Sequence, residues 1–261
     1  WEDSSPRAMV MLDRPETEKT SQFIYKRGDR HLEGKTVPPI IPKWISGTKP
    51  YNINQGSGRK ELALAISHPQ NPLTARVIVN RVWEWHFGQG LVKTPSDFGM
   101  QSEAPSHPGL LDYLARWFIQ NDWSLKRLHK FIIASNAWQQ SSKISTTNQN
   151  VDPDNRFIWR RKIQRLDFET MRDSILKLSG LLDLKMGGIP VIKPPDHLNN
   201  NRRTVYSFVD RENLADVFMT FDFPSPDISA PRRSDTTVPQ QTLFLLNSPF
   251  MLHHSQSIVE R

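Results

Sequence analysis

Arg76, Asn80 and Glu84 recur at i, i+4 and i+8 inside an otherwise apolar stretch, so a helix would carry them as one narrow polar stripe. Arg81 lies about 100° off that line. Guanidinium and amide groups in such a row can hold a carboxylate, a sulfate or sugar hydroxyls. The same row can equally be an internal network, since a buried charge is costly unless paired. His86, Asp97 and His107 follow in a loop-rich window with Lys93, Thr94, Ser96 and Glu103. Histidine with carboxylate is the material of general acid–base pairs, so these three are the candidate catalytic residues. Arg232 and Arg233 join Arg76, Asn80, Arg81 and Glu84 as candidate ligand-binding residues.

Other chemistries are poorly served. No His-Glu-x-x-His, EF-hand loop or other ligand spacing appears, so no metal site is expected. No Gly-x-Ser-x-Gly elbow surrounds Ser124, Ser135 or Ser207. His253-His254 reads as surface. Arg156, Arg160, Arg161, Lys162 and Arg165 interleave with Phe157 and Trp159, as in single-strand binders. Carboxylates interrupt that run, and no nucleic-acid module signature is present, so nucleic acid is not an expected partner.

The elements that must position these residues are mostly helical. Asn71-Pro72 has N-cap and N1 chemistry and opens a helix that runs to Phe87 and stops at Gly88. Its apolar residues, among them Val79, Val82, Trp83, Trp85 and Phe87, cover most of the circumference and predict deep burial. Further helices start at Arg59, Ser106-His107-Pro108, Asp122-Trp123-Ser124, Asp167, Asn213, Val238-Pro239 and Ser248-Pro249. Short strands are predicted at 8–12, 21–25 and 203–209. The chain therefore reads as mainly α with a small β component (α+β), its helices packed around a buried central helix at about 72–87. Residues 1–55 form an irregular β or extended N-terminal segment packed on the core. Residues 56–261 form a helix-rich domain with a polar loop at about 139–156.

Composition narrows the classes further. Among 261 residues there is no cysteine, which excludes disulfides, a thiolate nucleophile, thiolate-ligated metal and covalent haem in this chain. No apolar run of about 18 residues exists to span a membrane. The net charge of +7 favours polyanionic partners. Trp1-Glu2-Asp3 is no signal peptide, and the chain reads as a processed product, a separate subunit or part of a longer polypeptide.

Ordered blocks run through nearly the whole length: Asn71-Pro72-Leu73-Thr74-Ala75-Arg76, His86-Phe87-Gly88-Gln89-Gly90, Thr94-Pro95-Ser96-Asp97-Phe98-Gly99, Arg172-Asp173, Met186-Gly187-Gly188, Pro231-Arg232-Arg233 and Leu246-Asn247-Ser248-Pro249. In these blocks the sequence resembles the planctomycete-specific "PSD-one" domain of unknown function. That resemblance implies an exported protein of the periplasm or cell envelope, with a c-type cytochrome segment or other subunits as partners. It also implies a connection to polysaccharide processing. Any haem c then belongs to a partner or an upstream domain. The resemblance supplies no catalytic residue. Two functions stay open: a module of a haem-associated assembly that binds an anionic glycan or a partner subunit, and an enzyme. The enzyme would be a cytochrome-coupled oxidoreductase or a glycan hydrolase.

Overall fold

The structure, a computed structural model, describes residues 10–13, 15, 22–42, 45, 53 and 56–261. Among the described residues it is mainly α with one two-stranded sheet, as the sequence predicts. Two compact units divide the chain: Trp1–Lys93 with Phe98–Gln139, and Thr94–Asp97 with Gln140–Arg261.

The first unit begins with an antiparallel pair, β1 (Gln22–Tyr25) and β2 (Glu33–Val37). Arg27-Gly28-Asp29 lies in the turn between them, where Gly28 takes a φ of +75°. Of the strand expected at 8–12, only Val10–Leu12 lie among the described residues, and they are exposed and outside any strand. Helix α1 spans Arg59–Ser67. Asn71 then does what its position suggests: its Oδ1 accepts from the Leu73 and Thr74 N–H groups at the start of α2 (Thr74–Phe87). Gly88, at φ +76°, ends α2 by donating its N–H to the Glu84 carbonyl. Helices α3 (Pro108–Gln120) and α4 (Leu125–Ile133) pack on α2, and Leu111, Leu114, Phe118, Leu128 and Ile132 are buried with Val79, Val82 and Trp83. Burial of α2 is one-sided, however. Trp85, expected in the core, is 64% exposed and lies over His129, the rings nearly parallel.

The second unit has its own core. Phe168, Val217, Phe218 and Phe221 cluster with Phe223 and Phe244. Packing around α2 is thus a property of the first unit. Within the expected polar loop at 139–156 the chain forms a short helix, α5 (Thr146–Val151), which lacks an apolar face and starts where Ser145 accepts from the Asn148 N–H. Helix α6 (Phe168–Leu178) is capped by Asp167, whose Oδ1 accepts from the Thr170 N–H at 2.8 Å. Helices α7 (Asp216–Thr220), α8 (Pro239–Asn247) and α9 (Pro249–Val259) follow.

The strand expected at 203–209 is instead a 3-10 turn, Thr204–Tyr206, touched by isolated bridges at Arg202 and Ser207. Its alternation is inverted: Thr204 and Ser207 are buried, while Val205 is 70% exposed. Thr204 faces inward, where its N–H and hydroxyl donate to Asp173 and its hydroxyl oxygen accepts from Arg172, both on α6.

Candidate functional site

The polar stripe of α2 is closed. Asn80 is fully buried, donating to the Val92 carbonyl at 3.0 Å and accepting from the Val92 N–H at 2.8 Å. Gly90 makes this possible, since a Cβ there would lie 2.5 Å from the Val92 carbonyl and 2.6 Å from the Asn80 amide nitrogen. Arg76 donates through Nε to Asp112 Oδ1 at 2.7 Å and through Nη1 to the Pro72 carbonyl. That hydrogen bond from Arg76 is the main reason the Asp112 carboxyl titrates below its ordinary range. Arg76 and Asp112 line a small cavity of about 230 Å³ with Leu73, Val92, Pro105 and Pro108, but the pair has already spent the guanidinium charge an incoming anion would need. Glu84 and Arg81 are half-buried.

The candidate catalytic residues have other surroundings. His86 Nε2 meets His129 Nδ1 at 2.8 Å, with the Trp138 ring edge-on beside it. His107 occupies the N-cap position of α3, its Nδ1 3.0 Å from Ser106 Oγ. Asp97 sits in the short segment grouped with the second unit, and its carbonyl accepts from Thr94 Oγ1 at 2.7 Å. Of the C-terminal pair, Arg232 is exposed, without a partner among the described residues. Arg233 forms a bidentate pair with Glu169, both contacts 2.7 Å, and lies over the Phe223 ring. The Glu169 carboxylate raises the affinity of Arg233 for its proton, against the opposing effect of burial.

Arg233 leads to a cleft that the sequence reading missed. Glu169, Asp173 and Lys177 recur at i, i+4 and i+8 along α6 and wall a cavity of about 540 Å³. Arg203, Thr204, Val205 and Ser207 form the facing wall, and Phe218 and Phe223 supply apolar surface. Every carboxylate here is pinned. Asp173 Oδ1 accepts from the Thr204 N–H at 2.8 Å and from its hydroxyl at 2.7 Å, while Arg203 Nε stands 3.5 Å from Oδ2. Arg203 stands against Asp173, Arg233 pairs with Glu169 from outside the lining, and Lys177 has no ion-pair partner among the described residues. Ser207 Oγ is buried without a hydrogen-bond partner among the described residues.

Behind this wall Arg172 is fully buried. It donates to the Pro195 carbonyl at 2.5 Å, the Arg202 carbonyl at 2.8 Å, Thr204 Oγ1 at 3.1 Å and the Asn200 carbonyl, fastening residues 195–204 to α6. Burial weakens its hold on the proton, and Asp173 offsets part of that loss. His254, expected at the surface, is also fully buried, because neighbouring helix positions face different ways and only His253 points out. Its Nδ1 meets Ser179 Oγ at 3.1 Å. This serine–histidine contact is sealed in the core, with Ser179 also bonded to the Leu176 carbonyl, and has no opening to a substrate.

The family described as PSD1, protein of unknown function (DUF1553), matches residues 58–261. The chain belongs to the PSD1 family. No curated protein and no solved structure matches it. The PSD1 match includes every residue of the α6 cleft and both arginines of the Pro231-Arg232-Arg233 block. From that block, Arg233 reaches the cleft wall by pairing with Glu169. A signal for the cleft was legible in the row Glu169, Asp173, Lys177, but its facing wall comes from residues 203–209 and no local pattern announces it.

Proposed function

We propose that this PSD1 chain is a binding module whose α6 cleft takes an acidic glycan segment. The observation that carries the reading is a cleft whose two carboxylates are fixed by donors, with Phe223 beside them and one cation, Lys177, left over. Immobilised carboxylates accept hydrogen bonds from vicinal sugar hydroxyls without a further ordering cost. An apolar wall suits the C–H face of a pyranose, and a free ammonium suits a uronate or sulfate ester. Because charged donors already surround Glu169 and Asp173, the arrangement favours holding a ligand over transferring a proton to it.

The sequence resemblance supports the wider setting we infer: an exported planctomycete module of the periplasm or cell envelope. In that setting it works within a larger assembly whose c-type haem sits on a partner subunit or an upstream segment. A glycan array probed with the whole chain tests the reading. Retention on uronate- or sulfate-bearing oligosaccharides, weakened about tenfold by Lys177→Glu, is the expected result. Retention on neutral sugars alone, or on none, contradicts it.

A further inference from the structure

Away from the cleft, residues 184–193 form a loop whose side chains point into solvent. Leu184 is 70%, Met186 83%, Ile189 83% and Ile192 80% exposed, and a Cβ added to Gly187 or Gly188 would touch nothing. An apolar tip standing this far out marks an interaction surface.

The backbone of the tip is unusual in being satisfied from beneath. Arg202 donates to the carbonyls of Lys185 at 3.0 Å, Gly187 at 2.6 Å and Ile189 at 3.2 Å, and its guanidinium is stacked on Tyr206. The Val191 N–H donates to the Tyr206 carbonyl, and the Val191 carbonyl accepts from the Phe208 N–H. Water would serve those carbonyls equally well, whereas a low-polarity medium would not, and there unsatisfied backbone groups are costly. Exposed Lys185 and Lys193 flank the tip, and the nearest carboxylates in sequence, Asp183 and Asp196, stand just outside it, Asp183 Oδ1 accepting from the Lys185 N–H.

We propose that this loop is a membrane-surface anchor, its four apolar side chains entering the headgroup region of an anionic bilayer while the two lysines face lipid phosphates. Among the described residues no helix is long and apolar enough to cross a membrane, so the contact is interfacial. Arg202 preforms the loop, which lowers the ordering cost of docking.

Flotation of the whole chain with vesicles tests this. Vesicles containing phosphatidylglycerol should carry the chain up, and pure phosphatidylcholine vesicles should carry far less. The double variant Met186→Asp/Ile189→Asp should stay with the unbound fraction. Lys185→Gln/Lys193→Gln should bind roughly thirtyfold more weakly. All three chains should unfold at the same temperature, because the altered side chains are exposed. A wild-type chain that ignores both vesicles overturns the proposal; that is the result expected if the tip seats on another protein. Equal flotation with both lipids, or flotation kept by the double aspartate variant, overturns it as well. Each readout is independent of glycan retention in the cleft.

Discussion

Two rows of polar residues with identical i, i+4, i+8 spacing meet opposite fates in this molecule. On α2, Arg76 and Asn80 end on Asp112, the Pro72 carbonyl and the Val92 backbone. On α6, Glu169, Asp173 and Lys177 look into a cavity of about 540 Å³. The spacing alone does not decide between a clamp and a site. What decides is the distance of the opposing wall. Gly90 lets backbone approach Asn80 closely, whereas the 203–209 segment is tied to α6 through Asp173 and Arg172 with room left between. A polar row is therefore a question put to the rest of the chain, and its answer lies in whatever packs opposite.

Breaking the support of the α6 row should have the largest effect. Arg172→Leu strands the Pro195, Asn200 and Arg202 carbonyls and should cost about 3–5 kcal/mol, read by denaturant unfolding. Ligand retention should fall with it, because the facing wall loses its tether. Asn80→Ala removes two buried hydrogen bonds from the α2 row and should cost about 2–3 kcal/mol while leaving glycan retention intact. If retention falls at unchanged folded fraction, the two rows are not as different as the geometry says.

The third effect is set by pH. Burial, then the charges of His253 and Arg172, lowers the folded-state pKa of His254 below its ordinary 6.5. The unfolded chain then binds the extra proton first, so stability rises with pH. The contribution is complete above the unfolded value and is lost as pH falls below about 6.5 towards the lower folded value. Replacing the imidazole by Phe, His254→Phe, should flatten that acid limb, seen as a smaller drop in melting temperature between neutral and mildly acidic buffer. The smallest effect belongs to Arg76→Gln. The pair with Asp112 is about one-third exposed, and its loss should change stability by less than about 1 kcal/mol.

Much of the fold was written in short-range chemistry. Asn71, Ser124, Asp167 and Ser248 cap the helices their positions announce, each accepting a backbone N–H within the next three residues. Gly88 stops α2 where its freedom at positive φ is needed. The misreadings occur where a contact spans many residues. Trp85 reads as core because periodicity cannot tell which side of a strongly apolar helix lacks a neighbour. The 203–209 alternation reads as a strand, whereas the polar Thr204 and Ser207 are the residues that turn inward. The sequence places Asn80 and Arg76 in one row, and only Val92 and Asp112 reveal that the row is closed. Glu169 and Asp173 looked like ordinary charges of a helix face until Arg233 and Thr204, 64 and 31 residues away, fixed them in place.

Hydrogen exchange of the whole chain with and without a retained acidic oligosaccharide tests the central contrast most directly. Slowed exchange at 168–178 and 203–209, with 74–92 unchanged, is the outcome that a ligand in the α6 cleft predicts. Protection confined to the α2 row and its small cavity would contradict it, since the ligand would then occupy the wall we describe as closed.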